Sequence, residues 1–375
     1  MTQYTGKESY RAIRRKLCWT LFFSTGFAAY AYAAAHPEAT ERRYSRGLYP
    51  LIARHWFPVT SSVRFSIAEL IVYALVFLAL VRVLRGLAGV VRERAAAGRF
   101  FYLLDLLMSG AVFFSALCFL AIATWGLNYN RLPFAETAGL DVGEAPVSEL
   151  AEACGRLAER ANALRGAVRE DGQGVMALSV PMRNTLDRAK DGFWAAEADF
   201  PTLADIEPGR PKPVLASKLM SYSGITGIFF PLTGEANVNT NITDAEAPFT
   251  ICHELAHQLG YAREDEANFI AWLACKDSPY EDYRYSGELI ALTHLLNALR
   301  GQDESAWSAV RATCSPAVER DLAAMGLFWQ RYEGPVSEIS TTINDTYLKV
   351  NRQPDGVQSY GRMADLVIAY MRDEQ

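Results

Sequence analysis

The sequence predicts a mainly α protein in two parts: three N-terminal transmembrane helices, then a mostly helical α+β domain with a small edge sheet. Two observations carry this. Three long runs with almost no charge lie within the first 127 of 375 residues. Beyond them the apolar runs shorten and take helical spacing, interrupted between Ser221 and Asn241 by a β-branched, aromatic and Gly-rich stretch. Composition agrees, since a chain that is 50% hydrophobic and 21% charged is too apolar for disorder and too polar to lie wholly in a bilayer. A formal net charge of -5 gives no basic face, so no nucleic-acid partner is expected.

The membrane part is expected over residues 1–127, with spans at about 17–35, 65–83 and 106–127. Leu17 to Ala35 and Leu106 to Leu127 hold no charged residue, and Phe65 to Val81 holds only Glu69. Each run is long enough to cross a ~30 Å hydrocarbon core at ~1.5 Å per residue. Glu69 and Asp105 sit near span ends and read as interfacial groups. Lys7, Arg11, Arg14, Arg15 and Lys16 precede the first span, and Arg82, Arg85, Arg92, Arg94 and Arg99 join the second to the third. By the positive-inside rule both stretches are cytoplasmic, so residues 128–375 form an extracytoplasmic domain of an integral membrane protein. The basic cluster before an apolar run ending in Ala31-Tyr32-Ala33 is also similar to a signal peptide, whose removal would leave two spans.

In the second part, Val147 to Val168 has a helical stripe of Leu150, Ala153, Cys154 and Leu157, and a further helix is expected between Pro181 and Ala198. Pro201, Pro208, Pro211 and Pro213 mark an irregular connection at the surface. Ile225 to Phe230 reads as a strand, and Pro231 makes it an edge strand, because proline cannot donate to a ladder. From about Ala247 the chain is helical, including Glu281 to Leu299, Pro316 to Tyr332 and Gly361 to Met371. Cys154, Cys252, Cys275 and Cys314 lie outside the spans, either paired in one of three ways or buried as free thiols.

Chemistry concentrates at His253-Glu254-Leu255-Ala256-His257. Residues four apart on a helix stand one turn above each other, so both imidazoles can grip one zinc ion. Glu254 then lies beside the ion as a base that takes a proton from an acidified water. Pro248 suits the first turn of this helix and Gly260 its end. Cys252, Leu255, Ala256 and Leu259 form the stripe that would bury its opposite side. A third ligand is offered by the next helix, Arg263-Glu264-Asp265-Glu266-Ala267-Asn268. Glu264 and Asn268 share a face there. Glu266 is turned about 200° from Glu264, so the two acids cannot serve the same ion.

His-Glu-x-x-His on one helix with Glu-x-x-Ala-Asn on the next resembles the gluzincin metallopeptidases. That resemblance implies Glu264 as the third ligand and Asn268 as support for a ligand histidine. The string from His253 to Asn268 is also similar to bacterial membrane proteins of the domain of unknown function 3810 family. So are Trp125-Gly126-Leu127-Asn128-Tyr129, Asn344-Asp345-Thr346-Tyr347-Leu348-Lys349 and Ser359-Tyr360-Gly361. The implied protein is a bacterial inner-membrane, zincin-like metallopeptidase that takes Zn2+ and cleaves a peptide or protein substrate. The alternative is a catalytically silent zinc-binding scaffold or sensor. Only six residues separate His257 from Glu264, shorter than in most gluzincins. Arg263 stands where the metzincin spacing needs a histidine, which argues against that class. For the oxyanion donor, Tyr360 and Tyr347 are favoured on the resemblance, over Tyr261 and His294. His294 sits in an apolar run and reads as a core histidine. The Ile225 to Phe230 strand is either a hairpin packed on the helices or an edge that receives substrate main chain.

Overall fold

The computed structural model describes residues 7–143, 145–351, 353 and 362–374, and they are mainly helical. The chain begins with α1 (Lys7–Ala35), α2 (Pro37–Thr40), a π-helical stretch (Glu41–Leu48) and α3 (Tyr49–Ser61), followed by α4 (Ile67–Arg92) and α5 (Ala96–Thr124). Next come α6 (Phe134–Ala138), α7 (Val147–Arg165), β1 (Arg169–Glu170), β2 (Met176–Ala177), α8 (Met182–Ala196), β3 (Lys212–Pro213), α9 (Ser217–Tyr222), β4 (Gly227–Phe230) and β5 (Glu235–Val238). The rest is helical: α10 (Ala247–Gln258), α11 (Glu264–Lys276), α12 (Glu281–Gln302), α13 (Glu304–Arg311), α14 (Pro316–Gln330), α15 (Pro335–Val350) and α16 (Met363–Asp373). The helices expected from the pattern are present to within a few residues.

α1 lies along α5, which packs on α4. Among the described residues two helices are long and apolar enough to cross a membrane, α4 and α5, and little of their apolar surface is covered by protein. The third expected span, inside α1, is not among them, because Trp19, Tyr30 and Tyr32 and the small Thr20, Ser24, Thr25 and Gly26 lower its mean hydropathy. Those small residues let α5 approach, and a Cβ on Gly26 would stand 3.1 Å from the Phe119 ring.

The two acids expected at the water interface are instead buried partners. Asp105 takes Lys16 of α1 and Arg82 of α4, joining all three helices. Glu69 accepts the backbone N–H groups of Leu215 (2.9 Å) and Ala216 (2.8 Å), which ties α9 to the first turn of α4. α4 also starts directly on the sheet. Glu235 accepts from the N–H of Ala68 (2.7 Å), and Ser66, whose hydroxyl accepts from Glu69 N–H, donates to Asn237. A carboxylate at a helix N-terminus satisfies donors with no partner inside the helix.

Residues 37–61 are helical and folded onto the C-terminal part: Tyr44, Tyr49, Ala53 and Phe57 belong to the same core as α7, α8, α10, α11 and α12. The Pro-rich connection differs from expectation too. Pro208, Gly209, Pro211 and Lys212 are buried, and the Lys212 ammonium donates to the carbonyls of Thr60 and Val63 just before α4.

β3, β5 and β4 form one sheet in that order, with β5 central, parallel to β3 and antiparallel to β4. β4 is therefore the edge strand that the sequence predicts, with Pro231 just beyond its end. The six cysteines are all free thiols.

Candidate metal centre

α10 begins with Pro248 in its first turn and ends before Gly260, whose φ of 91° lies in the left-handed region open to glycine. A Cβ there would also stand 2.9 Å from the Tyr49 ring. The chain reverses at this turn and enters α11, whose first turn carries Glu264, Asp265 and Glu266. The stripe of Cys252, Leu255, Ala256 and Leu259 is buried as expected, leaving the histidine face for chemistry.

The turn brings Glu264 back over the histidines. Its Oε2 lies 3.3 Å from His253 Nε2 and its Oε1 3.7 Å from His257 Nε2. One ligand atom from each of the three residues lies within 4.8 Å of the other two. Four ligands around zinc at ~2.0–2.1 Å stand roughly 3.3 Å from one another, so this donor set fits the ion in chemistry and spacing. The six-residue connection is therefore long enough. Glu266 faces away: its carboxylate accepts from Phe134 N–H and from Arg263, both at 2.7 Å.

Burial pushes the Glu254 carboxyl up to about 7, with His253, His257 and the Phe229 main chain acting the other way. Against the effect of burial, Glu264 raises His257 to about 9, while the two histidines hold Glu264 well below the usual carboxylate range. Burial, with the nearby His253 charge, lowers His294 to about 4; it lies half-buried on α12 beside the Phe249 ring, outside the donor set.

Asn268 does not take the role the resemblance implies. It is buried one turn beyond Glu264, and its Nδ2 has no partner among the described residues. His257 is oriented instead by the carbonyl of Tyr261, 2.8 Å from its Nδ1. His253 Nδ1 and Glu254 Oε2 are likewise buried without a partner among the described residues. Atoms so placed are available to a ligand that enters the site.

The C-terminal end of α10 is closed by residues from the N-terminal third and just after it. Trp125 Nε1 donates to His257 O (2.8 Å), Tyr49 hydroxyl to Gln258 O (2.6 Å) and Arg131 to Gly260 O (3.2 Å). Arg131 is buried, pairs with Glu41 through both carboxylate oxygens and lies over the Tyr261 ring. Gln258 bridges Gly209 N–H and Gly234 O, both at 2.6 Å, which fixes the sheet against α10.

β4 crosses the other side. Asn239 N–H donates to Thr226 O, so the main-chain groups of Thr226 and Ile228 face β5 and those of Gly227 and Phe229 face outward. Gly227 sits against the base: a Cβ there would stand 2.5 Å from Glu254 Oε1. A glycine inside a strand was the only sequence signal for this approach.

Of the expected tyrosines, Tyr360 lies outside the described residues. Tyr347 is near the centre. It is about half exposed, at 48%, and Tyr129 donates to its oxygen at 3.1 Å. That bond leaves the proton of Tyr347 for another acceptor. Tyr261 donates to Thr202 O and packs away from the ligands.

A family model described as "Protein of unknown function (DUF3810)" matches residues 44–368. No curated protein and no solved structure matches the chain.

Proposed function

We propose that this chain, which belongs to the DUF3810 family, is an integral membrane zinc metallopeptidase with its catalytic domain outside the cytoplasm of a bacterial cell. The observation that carries the reading is the convergence of His253, His257 and Glu264 on one point beside the buried base Glu254. The three ligand residues would hold the metal. When bound, zinc supplies a Lewis acid that acidifies water and polarises a carbonyl.

Glu254, buried beside the three ligand residues, takes the proton of the attacking water and delivers it to the leaving nitrogen. The outward edge of β4 at Gly227 offers an N–H and a C=O to an extended substrate, placing its main chain across Glu254. Tyr347 supplies a hydroxyl proton to the developing oxyanion.

The membrane reading takes α1 as the third span, beside α4 and α5. It is supported by the common side of the outer ends: residues 36–66 and the metal-bearing part share one core. The basic clusters of the three helices meet at the opposite end, where Lys16 and Arg82 share Asp105.

Metal content of purified wild type, Glu264→Ala, Glu266→Ala and Glu254→Gln tests the assignment. About one zinc per chain is expected, lost in Glu264→Ala and kept in the other two. Glu254→Gln should lower peptide hydrolysis by roughly 10²–10⁴. Well-folded wild type without zinc would end the reading. Zinc held by a protein that cleaves nothing in a broad peptide library would favour the silent scaffold.

A further inference from the structure

Apolar side chains on the surface of the metal-bearing part are unevenly placed. Among the described residues beyond 128, the strongly exposed large ones, save Val142 and Trp194, fall within 215–228 and 327–350. In the first segment Leu215 is 84% and Leu219 69% exposed, beside Tyr222. In the second, Val336, Ile339, Ile343, Tyr347 and Val350 are exposed along α15. At ~100° per residue these five fall within an arc of roughly 80°. Glu338, Asp345 and Lys349 occupy the opposite side of the helix. Such a narrow apolar stripe along a polar helix is the pattern of a helix lying in a membrane interface.

Hydrogen bonds fix where these surfaces stand. Glu69, in the first turn of α4, holds the backbone of Leu215 and Ala216, so α9 starts at the level where α4 begins. The segment leading into α15 meets α9 through Tyr332, whose ring packs edge-on against Tyr222. Just past its other end, Asn351 accepts a bond from Tyr30 near the end of α1 (3.2 Å). α15 therefore runs from beside the start of α4 to the end of α1, along the side from which the apolar helices leave. Lys218, exposed between Leu215 and Leu219, can carry its ammonium to the headgroups while its stem follows the apolar surface.

We infer that α9 and the stripe of α15 are seated in the bilayer that α4 and α5 cross, at the boundary between headgroups and acyl chains. This rests on the membrane-spanning reading of those two helices but not on peptidase activity. With Tyr347 on the stripe and Ile228 of β4 also exposed, the cleft over Glu254 then opens along the membrane surface.

The test uses full-length protein in phosphatidylcholine nanodiscs with Cys18→Ser and Cys118→Ser. An environment-sensitive fluorophore is placed at Leu219→Cys, Ile343→Cys, Phe77→Cys in mid-α4, or Trp194→Cys. A lipid nitroxide near the top of the acyl chain should quench the labels at 219 and 343 at least about threefold more than that at 194, and iodide should reach only the last. Labels at 219 and 343 that behave like 194 would overturn the inference. So would a label at 77 that the lipid fails to quench, which would remove the membrane premise with it. Wild-type protein gives a second reading with no substitution: a photoreactive acyl chain should leave adducts on 215–222 and 335–350. Adducts confined to α1, α4 and α5 would refute the seating. Neither readout depends on hydrolysis, so a failed peptidase reading leaves this result interpretable.

Discussion

The two sides of α10 are built on opposite rules. At its C-terminal end the carbonyls of His257, Gln258 and Gly260 each receive a side-chain donor, from Trp125, Tyr49 and Arg131. On its histidine face, His253 Nδ1 and Glu254 Oε2 are buried without a partner among the described residues. The donors on these three carbonyls hold the first end in place, while unspent capacity on the second is what a ligand would use. The contrast says that the backbone under the ligands is fixed before anything binds. It also says that two of the three fixing groups, Trp125 and Tyr49, come from before residue 128.

The largest effect should follow from opening the closed end. Arg131→Met removes the donor to Gly260 O and strands Glu41 inside the protein. Breaking a buried ion pair by removing one partner costs about 3–5 kcal/mol, because the remaining charge keeps its desolvation penalty. Urea unfolding in detergent should register that loss, with zinc released earlier in the titration than from wild type. Arg131→Met combined with Glu41→Gln should recover part of the stability. If the double variant is no better than the single, the pair is not what holds the Gly260 turn.

The open face can be broken separately. Gly227→Ala places a methyl where the Glu254 carboxylate now lies, and a flexible side chain is the group that must yield. Hydrolysis should fall about 10²-fold, as expected for a misplacement of around 1 Å at a reacting group. Zinc content should not change, because the three atoms nearest that methyl all belong to Glu254 and not to a ligand residue. A loss of zinc in this variant would mean that β4 supports the ligands and not the base.

Legibility from sequence followed the same divide. The open face was readable because its logic is local: His253 and His257 are one turn apart, and Glu264 follows a glycine turn within a few residues. Gly260 and Pro248 announced the ends of the helix for equally local reasons. The closed end depends on partners far away in sequence. Tyr49 and Gln258 are 209 residues apart, and Arg131 and Glu41 are 90. Within residues 36–66, Tyr49, Ala53 and Phe57 keep the four-residue spacing of a buried stripe, but Tyr44 stands five residues earlier across a stretch wound as a π-helix, which breaks the usual period. Glu69 and Asp105 misled in the same way. An acid near a span end looks interfacial until the groups that meet it are known, and those groups are the N–H of Leu215 and Ala216 and the cations Lys16 and Arg82.

The smallest change tests whether the closed end reaches the metal at all. Trp125 leaves the last turn of α5, donates to His257 O and sets its ring edge-on to the imidazole, with centroids 6.0 Å apart. Trp125→Phe retains an aromatic ring against His257 and deletes only the N–H. A neutral hydrogen bond of this kind contributes about 1 kcal/mol net, and leaving the buried carbonyl short of a donor costs somewhat more. His257 keeps its Tyr261 partner in the variant, so the imidazole retains its tautomer and loses only the anchoring of its backbone. Zinc affinity, read by competition with a chelator, should therefore weaken about fivefold to tenfold, with melting temperature lowered by a few degrees. An unchanged affinity with the same drop in melting temperature would confine Trp125 to holding the domain on α5. A loss beyond a hundredfold would instead give the end of α5 direct control of the site.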